Sequence, residues 1–248
     1  MKKPVKKFIK FALTAGLFAG ILFTIAPTEG HKTKIVPLAE NKLNSKAALF
    51  AALKLDSLGL SEEAFNYALS GLEKLEKEGK LKNPDLLTIA DFSQPSNRKR
   101  LFVIDLKNET VLFNTFVSHG RNSGTALATT FSNAPESFKS SLGFYVTGDT
   151  YKGQHGYSLR LEGEEEGIND NAMSRGIVMH SAAYVSEKIA KLQGYIGRSL
   201  GCPAIPEQVH KQIIQVIKNG SCLFLYSPDK SYMANSKMLA AEKDTTVA

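Results

Sequence analysis

The chain has 248 residues and a formal net charge of +7, and 43% of its residues are hydrophobic, enough to build a sizeable core. Five of its 31 Lys and Arg residues, and none of its 24 Asp and Glu residues, lie within residues 1–26, so the remainder carries only +2. No cluster of Lys and Arg follows in the sequence, which excludes a basic nucleic-acid-binding surface.

The first 26 residues have the pattern of an export signal. Five lysines precede an uncharged apolar run of sixteen residues that ends at residue 26. This length is typical of the core of a signal peptide and is short for a membrane-spanning helix, which needs about twenty residues. A retained anchor that tethers the chain to a membrane stays open as the alternative. Both readings place the remaining residues outside the cytoplasm, in the periplasm or cell envelope.

Residues 27–45 are polar and lysine-rich, which predicts a linker, and the pattern then becomes helical. Between residues 46 and 83, apolar residues recur at helical spacing in two blocks separated by the turn Ser57-Leu58-Gly59. Ser61, followed by two glutamates, predicts the N-cap of the second helix. We therefore expect a small helical cap subdomain over residues 46–83 that packs on the main domain.

From residue 86 onward the apolar pattern is that of β-strands. The runs LLTIADF, RLFVIDL and VLFNTFVS are rich in β-branched and aromatic residues and are separated by turn-forming residues. Further strands are predicted at 143–147, 157–161, 177–179 and 222–226. A helix is predicted over 206–218, and the long polar loop at 119–136 is typical of a functional segment. These elements predict an α+β main domain over residues 84–228, followed by a disordered tail at 229–248.

Residues 175–206 carry the candidate chemistry. A short apolar strand delivers His180, and the small-residue turn Ser199-Leu200-Gly201-Cys202-Pro203 presents a thiol. Glycine allows a ligand to approach the backbone closely, and proline stiffens the turn just after the thiol. A thiolate attacks carbonyl groups well, and an imidazole can accept the thiol proton and later return it. The pattern therefore indicates Cys202 as a nucleophile and His180 as its base.

The residues alone leave other readings of this pair open. Exported chains with two cysteines often join them, so a disulfide between Cys202 and Cys222 competes with the nucleophile. Against the disulfide, Cys222 lies in an apolar strand and Cys202 in a polar turn. His180 taken alone is equally compatible with a hydrogen-bonded structural histidine. The sequence has no Cys-x-x-Cys and no pair of histidines at helical ligand spacing, so we expect neither a metal nor another cofactor.

These residues resemble the catalytic motif of the YkuD-type L,D-transpeptidases of bacterial cell-wall synthesis, in which a histidine lies upstream of a Ser-x-Gly-Cys turn. The blocks SLGFYVTGDTY, GYSLRLEG and RSLGCPA resemble a divergent branch of that family. The resemblance runs from residue 86 to residue 226 and implies a mainly β, α+β fold, a β-sandwich or open barrel, as the catalytic domain over 84–228. Ser181 and Ala204 depart from the commoner family pattern, which has glycine and arginine at these positions.

The resemblance also implies a role for the residues around the thiol. In the family a backbone carbonyl next to the histidine often holds the imidazole as the third catalytic member, and Ser181 fills that position. The backbone N–H groups of Leu200, Gly201 and Cys202 would form the oxyanion hole. Arg198, the nearest guanidinium in the sequence, either grips a substrate carboxylate or braces the turn. The remaining candidate substrate-binding residues are Ser199, Tyr145, His155 and His119.

The implied activity is that of a cysteine-dependent L,D-transpeptidase that acts on peptidoglycan stem peptides through a thioester, without a cofactor. Cys202 would attack the carbonyl that joins a diamino acid to the terminal D-alanine, and an amine of a neighbouring stem would resolve the thioester. One alternative is an L,D-carboxypeptidase or amidase on the same scaffold, with water as the acceptor. The other is a catalytically degenerate protein that binds murein, which the departures at Ser181 and Ala204 favour.

Overall fold

A computed structural model of the protein describes residues 38–239, with side chains from residue 45 onward. The predicted export segment at 1–26, most of the predicted linker and the end of the predicted tail lie outside the described residues. The helices are α1 (Leu38–Ala52), α2 (Glu62–Lys77), α3 (Glu187–Gln193), α4 (His210–Ile217) and α5 (Lys230–Asn235). The strands are β1 (Leu86–Asp91), β2 (Leu101–Asp105), β3 (Thr110–Thr115), β4 (Gly143–Gly153), β5 (Gly156–Gly163), β6 (Val178–Ser181), β7 (Ala204–Ile205) and β8 (Cys222–Tyr226). None of these helices has the length and apolar character needed to cross a bilayer.

The eight strands form one sheet in the order β3-β2-β1-β8-β4-β5-β6-β7. β1 and β8 run in parallel, and β4 runs antiparallel to β8 with Phe144 opposite Phe224. β6 and β7 form a second parallel pair, with His180 opposite Ala204. After β3 the chain approaches β7, because the N–H of Ser118 donates to the carbonyl oxygen of Ala204 over 2.8 Å. This contact brings the two ends of the strand order together, and the predicted α+β fold class is confirmed.

Helix α2 covers the central strands with an apolar stripe. β1 and β8 are buried at every residue, as expected for strands covered on both faces. The buried apolar side chains of α2 are Ala64, Phe65, Ala68, Leu69, Leu72 and Leu75, and the helix packs on β1 and β8. Its start is as predicted, because the Ser61 side chain accepts the backbone N–H of Ala64. The helical pattern read from the sequence is therefore confirmed for α2.

Gly71 allows α2 to approach the sheet closely. A Cβ at this position would lie 2.1 Å from Cζ of Phe144, whose buried ring stacks at 4.1 Å on Phe224. Overpacking a core costs about 1–3 kcal/mol, more than the roughly 0.5–1 kcal/mol that alanine gains over glycine in a helix. We expect Gly71→Ala to lower the free energy of unfolding by about 1–2 kcal/mol in urea denaturation. Glu76→Ala, at an exposed position of α2, should stay within about 0.5 kcal/mol, and equal losses would contradict the contact.

Four features of the fold differ from the sequence prediction. α3 and β7 lie in segments without a predicted element, and α1 begins at Leu38, inside the predicted linker. α5 lies in the segment predicted as a disordered tail. The Asp229 side chain accepts the N–H of Tyr232 at 2.9 Å and caps α5, and the Tyr232 hydroxyl donates to buried Glu165 at 3.0 Å. Ser236 also donates to Glu165 and Met238 is buried, so several contacts dock the first part of this polar segment onto the domain.

Candidate active site

The turn that carries the thiol, residues 199–203, is closed by the side chain of Ser199. Its hydroxyl donates to the carbonyl oxygen of Cys202 over 2.6 Å and accepts the N–H of Gly201 over 3.1 Å. Gly201 has φ +128°, and a Cβ there would lie 2.9 Å from the carbonyl oxygen of Lys139. Because side chains disfavour this conformation and the space is filled, glycine is required at the centre of the turn. The turn therefore holds Cys202 in one place.

The Cys202 sulfur is free and partly exposed, and it contacts the backbone at the start of β6. The N–H of Val178 donates to Sγ over 3.5 Å, and the thiol donates to the carbonyl oxygen of Gly176 over 3.7 Å. Cys222 is also free and fully buried, so the disulfide alternative is wrong. Burial raises the pKa of the Cys202 thiol, against the opposing effects of the Val178 N–H and the Arg175 charge. The thiol is therefore protonated at neutral pH and needs a base.

His180 is held as a neutral imidazole with one ring nitrogen available. Only 3% of the residue is exposed, and its Nδ1 lies 2.9 Å from the carbonyl oxygen of Ser181. A carbonyl oxygen only accepts, so Nδ1 carries the hydrogen and Nε2 carries the lone pair. Burial lowers the pKa of His180, the Ser181 carbonyl partly offsets this effect, and His155 lowers the pKa further. The contact expected of Ser181 is therefore present through its backbone.

The thiol turn leads directly into β7, which pairs with β6, the strand that carries His180. His180 lies opposite Ala204, two residues after Cys202. The sulfur contacts the backbone N–H of Val178, two residues before His180 on the same strand. No hydrogen bond joins the His180 ring to the sulfur among residues 45–239, and such bonds are often long in sites without substrate. The approach of the His180 ring to the sulfur, and the catalytic roles of both groups, stay predictions.

The structure brings one predicted substrate-binding residue, His155, into contact with His180. Its ring stacks on the ring of His180, with centroids 4.2 Å apart and an angle of 19° between the planes. The residue is exposed at the tip of the β4–β5 hairpin. It therefore borders the candidate site on the His180 side.

Two other predicted substrate-binding residues, His119 and Tyr145, lie inside the fold. Arg100 donates to Nδ1 of His119 over 2.7 Å, and Nε2 of His119 donates to the carbonyl oxygen of Gly124 over 3.2 Å. Burial and the Arg100 charge lower the pKa of His119 to about 4. Tyr145 donates to the carbonyl oxygen of Ser141 over 3.0 Å. Both side chains are fully buried and bonded to the protein, so we correct their assignment to structural residues.

Arg198 and Ser199 support the turn. Nη1 of Arg198 donates to the carbonyl oxygens of Arg121 and Gly124 over 3.2 and 3.1 Å, which is the bracing alternative for this residue. Ser199 is 5% exposed and its hydroxyl is used within the turn. Both residues hold the thiol turn, Arg198 is exposed, and the predicted role of the two in substrate binding stays a prediction.

One of the three N–H groups predicted to form the oxyanion hole is already bonded within the turn. The N–H of Gly201 already donates to the Ser199 hydroxyl, so it has an acceptor before any substrate arrives. The N–H groups of Leu200 and Cys202 stay the predicted donors. Leu200 is 56% exposed, which leaves its backbone beside open solvent at the mouth of the turn.

Arg175 is the guanidinium that lies against the turn, although the sequence drew attention to Arg198. Its Nη2 would lie 3.4 Å from a Cβ at Gly201. It donates to the carbonyl oxygens of Ser132 and Lys139 and to the hydroxyls of Ser137 and Ser141. Burial lowers the pKa of Arg175. These bonds fix residues 132–141 beside the thiol turn, and the only signal in the sequence was its position directly before the His180 strand.

Gly201→Ala should damage the site more than the fold. The added Cβ would meet the carbonyl oxygen of Lys139 and Cδ1 of Ile177, both at 2.9 Å, in a backbone conformation that costs about 1–3 kcal/mol. We expect the rate at which Cys202 is acylated, measured by mass spectrometry, to fall at least about tenfold. Gly167→Ala is the matched control, since Gly167 also has positive φ (+75°) but faces open space. Equal acylation rates in the two variants would contradict a tightly packed turn.

The fold and the site define a candidate cysteine enzyme, in which an α+β domain presents a free thiol against the strand that carries a neutral imidazole. A family model described as the L,D-transpeptidase catalytic domain matches residues 56–226. The chain belongs to the L,D-transpeptidase catalytic-domain family, which confirms the resemblance seen in the sequence. The match includes α2, which the sequence analysis had placed in a separate cap subdomain. No curated protein matches the chain in a sequence comparison.

Several solved structures are similar to the chain at low identity. An L,D-transpeptidase from Mycobacterium smegmatis is 14% identical with a TM-score of 0.37, over 58% of this chain and 59% of that one. L,D-transpeptidase 3 from Mycobacterium tuberculosis is 13% identical with a TM-score of 0.38, over 58% and 61%. The helical cell shape determining protein Pgp2 from Campylobacter jejuni is 14% identical with a TM-score of 0.40, over 58% and 48%. The chain thus covers less than two thirds of each.

Proposed function

We propose that the protein is a cysteine-dependent L,D-transpeptidase that acts on peptidoglycan stem peptides. One observation supports the proposal: the half-buried Cys202 lies on a glycine turn whose thiol contacts β6, the strand that carries a histidine whose Nδ1 is already bonded. Such an imidazole has only Nε2 free to accept a proton, and a nucleophilic thiol needs a base that accepts its proton. Membership of the L,D-transpeptidase family supports the class of reaction.

In the first half of the proposed reaction, Nε2 of His180 accepts the thiol proton while the Cys202 sulfur attacks the carbonyl that joins a diamino acid to a terminal D-alanine. The C–N bond then breaks, the imidazolium protonates the leaving amine of D-alanine, and a thioester remains on Cys202. In the second half, the amine of a neighbouring stem attacks the thioester and a new amide forms. The C–S bond breaks and the thiol regains its proton through His180.

The protonation states at the site favour this base-assisted attack over a preformed ion pair. Burial raises the pKa of the Cys202 thiol and lowers that of His180, so both effects stabilise the neutral pair. The proton therefore moves to the imidazole as the sulfur attacks. The negative charge that develops on the carbonyl oxygen would be stabilised by N–H groups of the turn, an effect typically of about 3–4 kcal/mol.

The test is incubation of the purified protein with muropeptides that end in D-alanine, followed by mass spectrometry. We expect free D-alanine and a product in which two stems are joined through the side-chain amine of the acceptor. Release of D-alanine without joined stems would identify water as the acceptor and the protein as an L,D-carboxypeptidase. If no D-alanine is released and no adduct forms on Cys202, the proposal is contradicted and a murein-binding protein is favoured.

We also propose that the protein is exported to the cell envelope. The support is the run of five lysines followed by sixteen uncharged apolar residues before the catalytic domain. Cell fractionation with N-terminal sequencing tests this proposal. A shortened chain in the soluble envelope fraction supports a cleaved signal peptide, and a full-length chain in the membrane fraction supports a retained anchor. Full-length protein in the cytosol would contradict export.

A further inference from the structure

The β4–β5 hairpin extends to a tight turn that carries His155. Gly153 pairs with Gly156 at the end of the hairpin, which leaves Gln154 and His155 as its two turn residues. Gly156 has φ +75°, a conformation that suits glycine and lets the strand reverse. The exposed His155 ring therefore belongs to a projecting tip and not to the packed core.

The position of this tip is fixed by contacts along the hairpin. Nε of Arg160 lies 3.1 Å from the Asp149 carboxylate, and the Arg160 guanidinium lies 4.6 Å from the centroid of the Tyr151 ring. On α4, the Gln215 side chain donates to the Tyr157 hydroxyl over 2.7 Å. The hairpin is thus braced from within and against α4, so it can hold a side chain at a defined place over β6.

At that place the His155 ring covers one face of the His180 ring. The two planes are 19° from parallel and their centroids are 4.2 Å apart, a stacked arrangement. The edge of His180 is fixed separately, by the bond between Nδ1 and the Ser181 carbonyl oxygen. A ring held at one edge and covered on one face loses most of its rotational freedom and contact with water. Nε2 of His180 has no hydrogen-bond partner in the described part of the chain.

We propose that His155 is a positioning residue for His180. Its ring holds the imidazole in the plane that keeps Nδ1 on Ser181 and Nε2 available to the thiol, and it excludes water from the covered face. This inference rests on the proposed function, in which His180 is the base for Cys202. It assigns His155 to the orientation of the base instead of to substrate binding.

Several other charged or titratable groups lie on the segments around β6: Arg175 precedes the strand, and His210 and Lys211 lie in the first turn of α4. The turn before β7 contributes the Cys202 thiol, and β5 contributes Arg160, which is paired with Asp149. α4 packs on β6, and its buried side chains are Ile213, Ile214 and Ile217. His155 is therefore the titratable group that lies directly on the His180 ring.

Three variants test the proposal: His155→Ala removes the ring, His155→Phe keeps a flat ring without the ring nitrogens, and Gln154→Ala changes the exposed neighbour in the same turn. The first readout is the NMR titration of His180, assigned by its loss in His180→Gln. The second is kcat/KM for D-alanine release against pH. We expect His155→Ala to raise the pKa of His180, to move the acid limb upward with it, and to lower kcat about threefold to tenfold. His155→Phe should restore kcat, and Gln154→Ala should match the wild type.

The other possible results contradict either the proposal or the proposed function. An unchanged His180 titration and acid limb in His155→Ala would overturn the proposal, and so would a His155→Phe variant that behaves like His155→Ala. A Gln154→Ala variant with the same losses would assign the effect to the fold of the hairpin and also overturn it. If the wild type releases no D-alanine, the proposed function fails, but the NMR titration still decides whether His155 controls the state of His180.

Discussion

Cys202→Ala is expected to abolish D-alanine release, a loss of at least about 10⁴-fold in kcat, while the protein stays folded. The reaction proposed here passes through a thioester, and alanine offers no atom that can form it. The residue is partly exposed and its sulfur makes two long contacts to backbone groups, so its loss should cost at most about 1 kcal/mol of stability. Turnover is measured by D-alanine release and stability by urea denaturation.

Cys222→Ala is the matched control for this change, because it removes the other thiol of the chain. Cys222 is fully buried in β8, where burial raises the pKa of its thiol strongly. Truncation there should destabilise the core by about 1 kcal/mol and leave turnover within about twofold of the wild type. Iodoacetamide should correspondingly label Cys202 and spare Cys222 in the folded protein. An inactive Cys222→Ala beside an active Cys202→Ala would show that the nucleophile has been assigned to the wrong cysteine.

The sequence predicted those parts of the fold that have a local periodic signal. α2 has an apolar stripe and a serine cap, and β8 is a continuous apolar run, so both were found. β7 has two residues and α3 has seven, too few to establish a period. The polar sequence of α5 predicts disorder, but Tyr232 and Ser236 both donate to Glu165, which lies far away in the chain. α3 and α5 have capping residues at their starts, Ser186 and Asp229, but no apolar period that predicts a helix.

In the candidate site, too, the sequence predicts residues that belong to a short motif and misses residues whose contacts lie far away in the chain. Cys202 and the Ser181 carbonyl act through their immediate neighbours, so a short motif was enough to select them. His119 lies in a polar, glycine-containing stretch that suggested exposure, but the fold buries it beside Arg100. Arg175 was missed because its acceptors lie in residues 132–141, far from it in sequence. Hydrogen bonds between distant segments decide these assignments, and a single sequence does not reveal them.

His180→Ala is expected to lower kcat for D-alanine release by about 10²- to 10⁴-fold, the usual contribution of a positioned general base. The thiol is protonated at neutral pH because burial raises its pKa, so without the imidazole few molecules carry the reactive thiolate. His210→Ala serves as the control, since His210 lies at the start of α4 and its Nδ1 contacts the Glu207 carbonyl oxygen. Turnover equal to that of the His210 control would contradict the role of His180 as base.

The pH dependence of kcat/KM separates a neutral thiol–imidazole pair from an ion pair. His180 must be uncharged to accept a proton, and its pKa lies below the ordinary 6.5, so activity should persist at pH 6.5 and fall only at lower pH. The Cys202 pKa lies above the ordinary 9.0, so the rate should stay flat from about pH 7 to 9 and the rate of iodoacetamide labelling should still be rising at pH 9. In an ion pair the imidazolium must keep its proton, and the rate would decline across that same interval. A decline between pH 7 and 9, with labelling already at its maximum at pH 7, would contradict the neutral pair and the base-assisted step that depends on it.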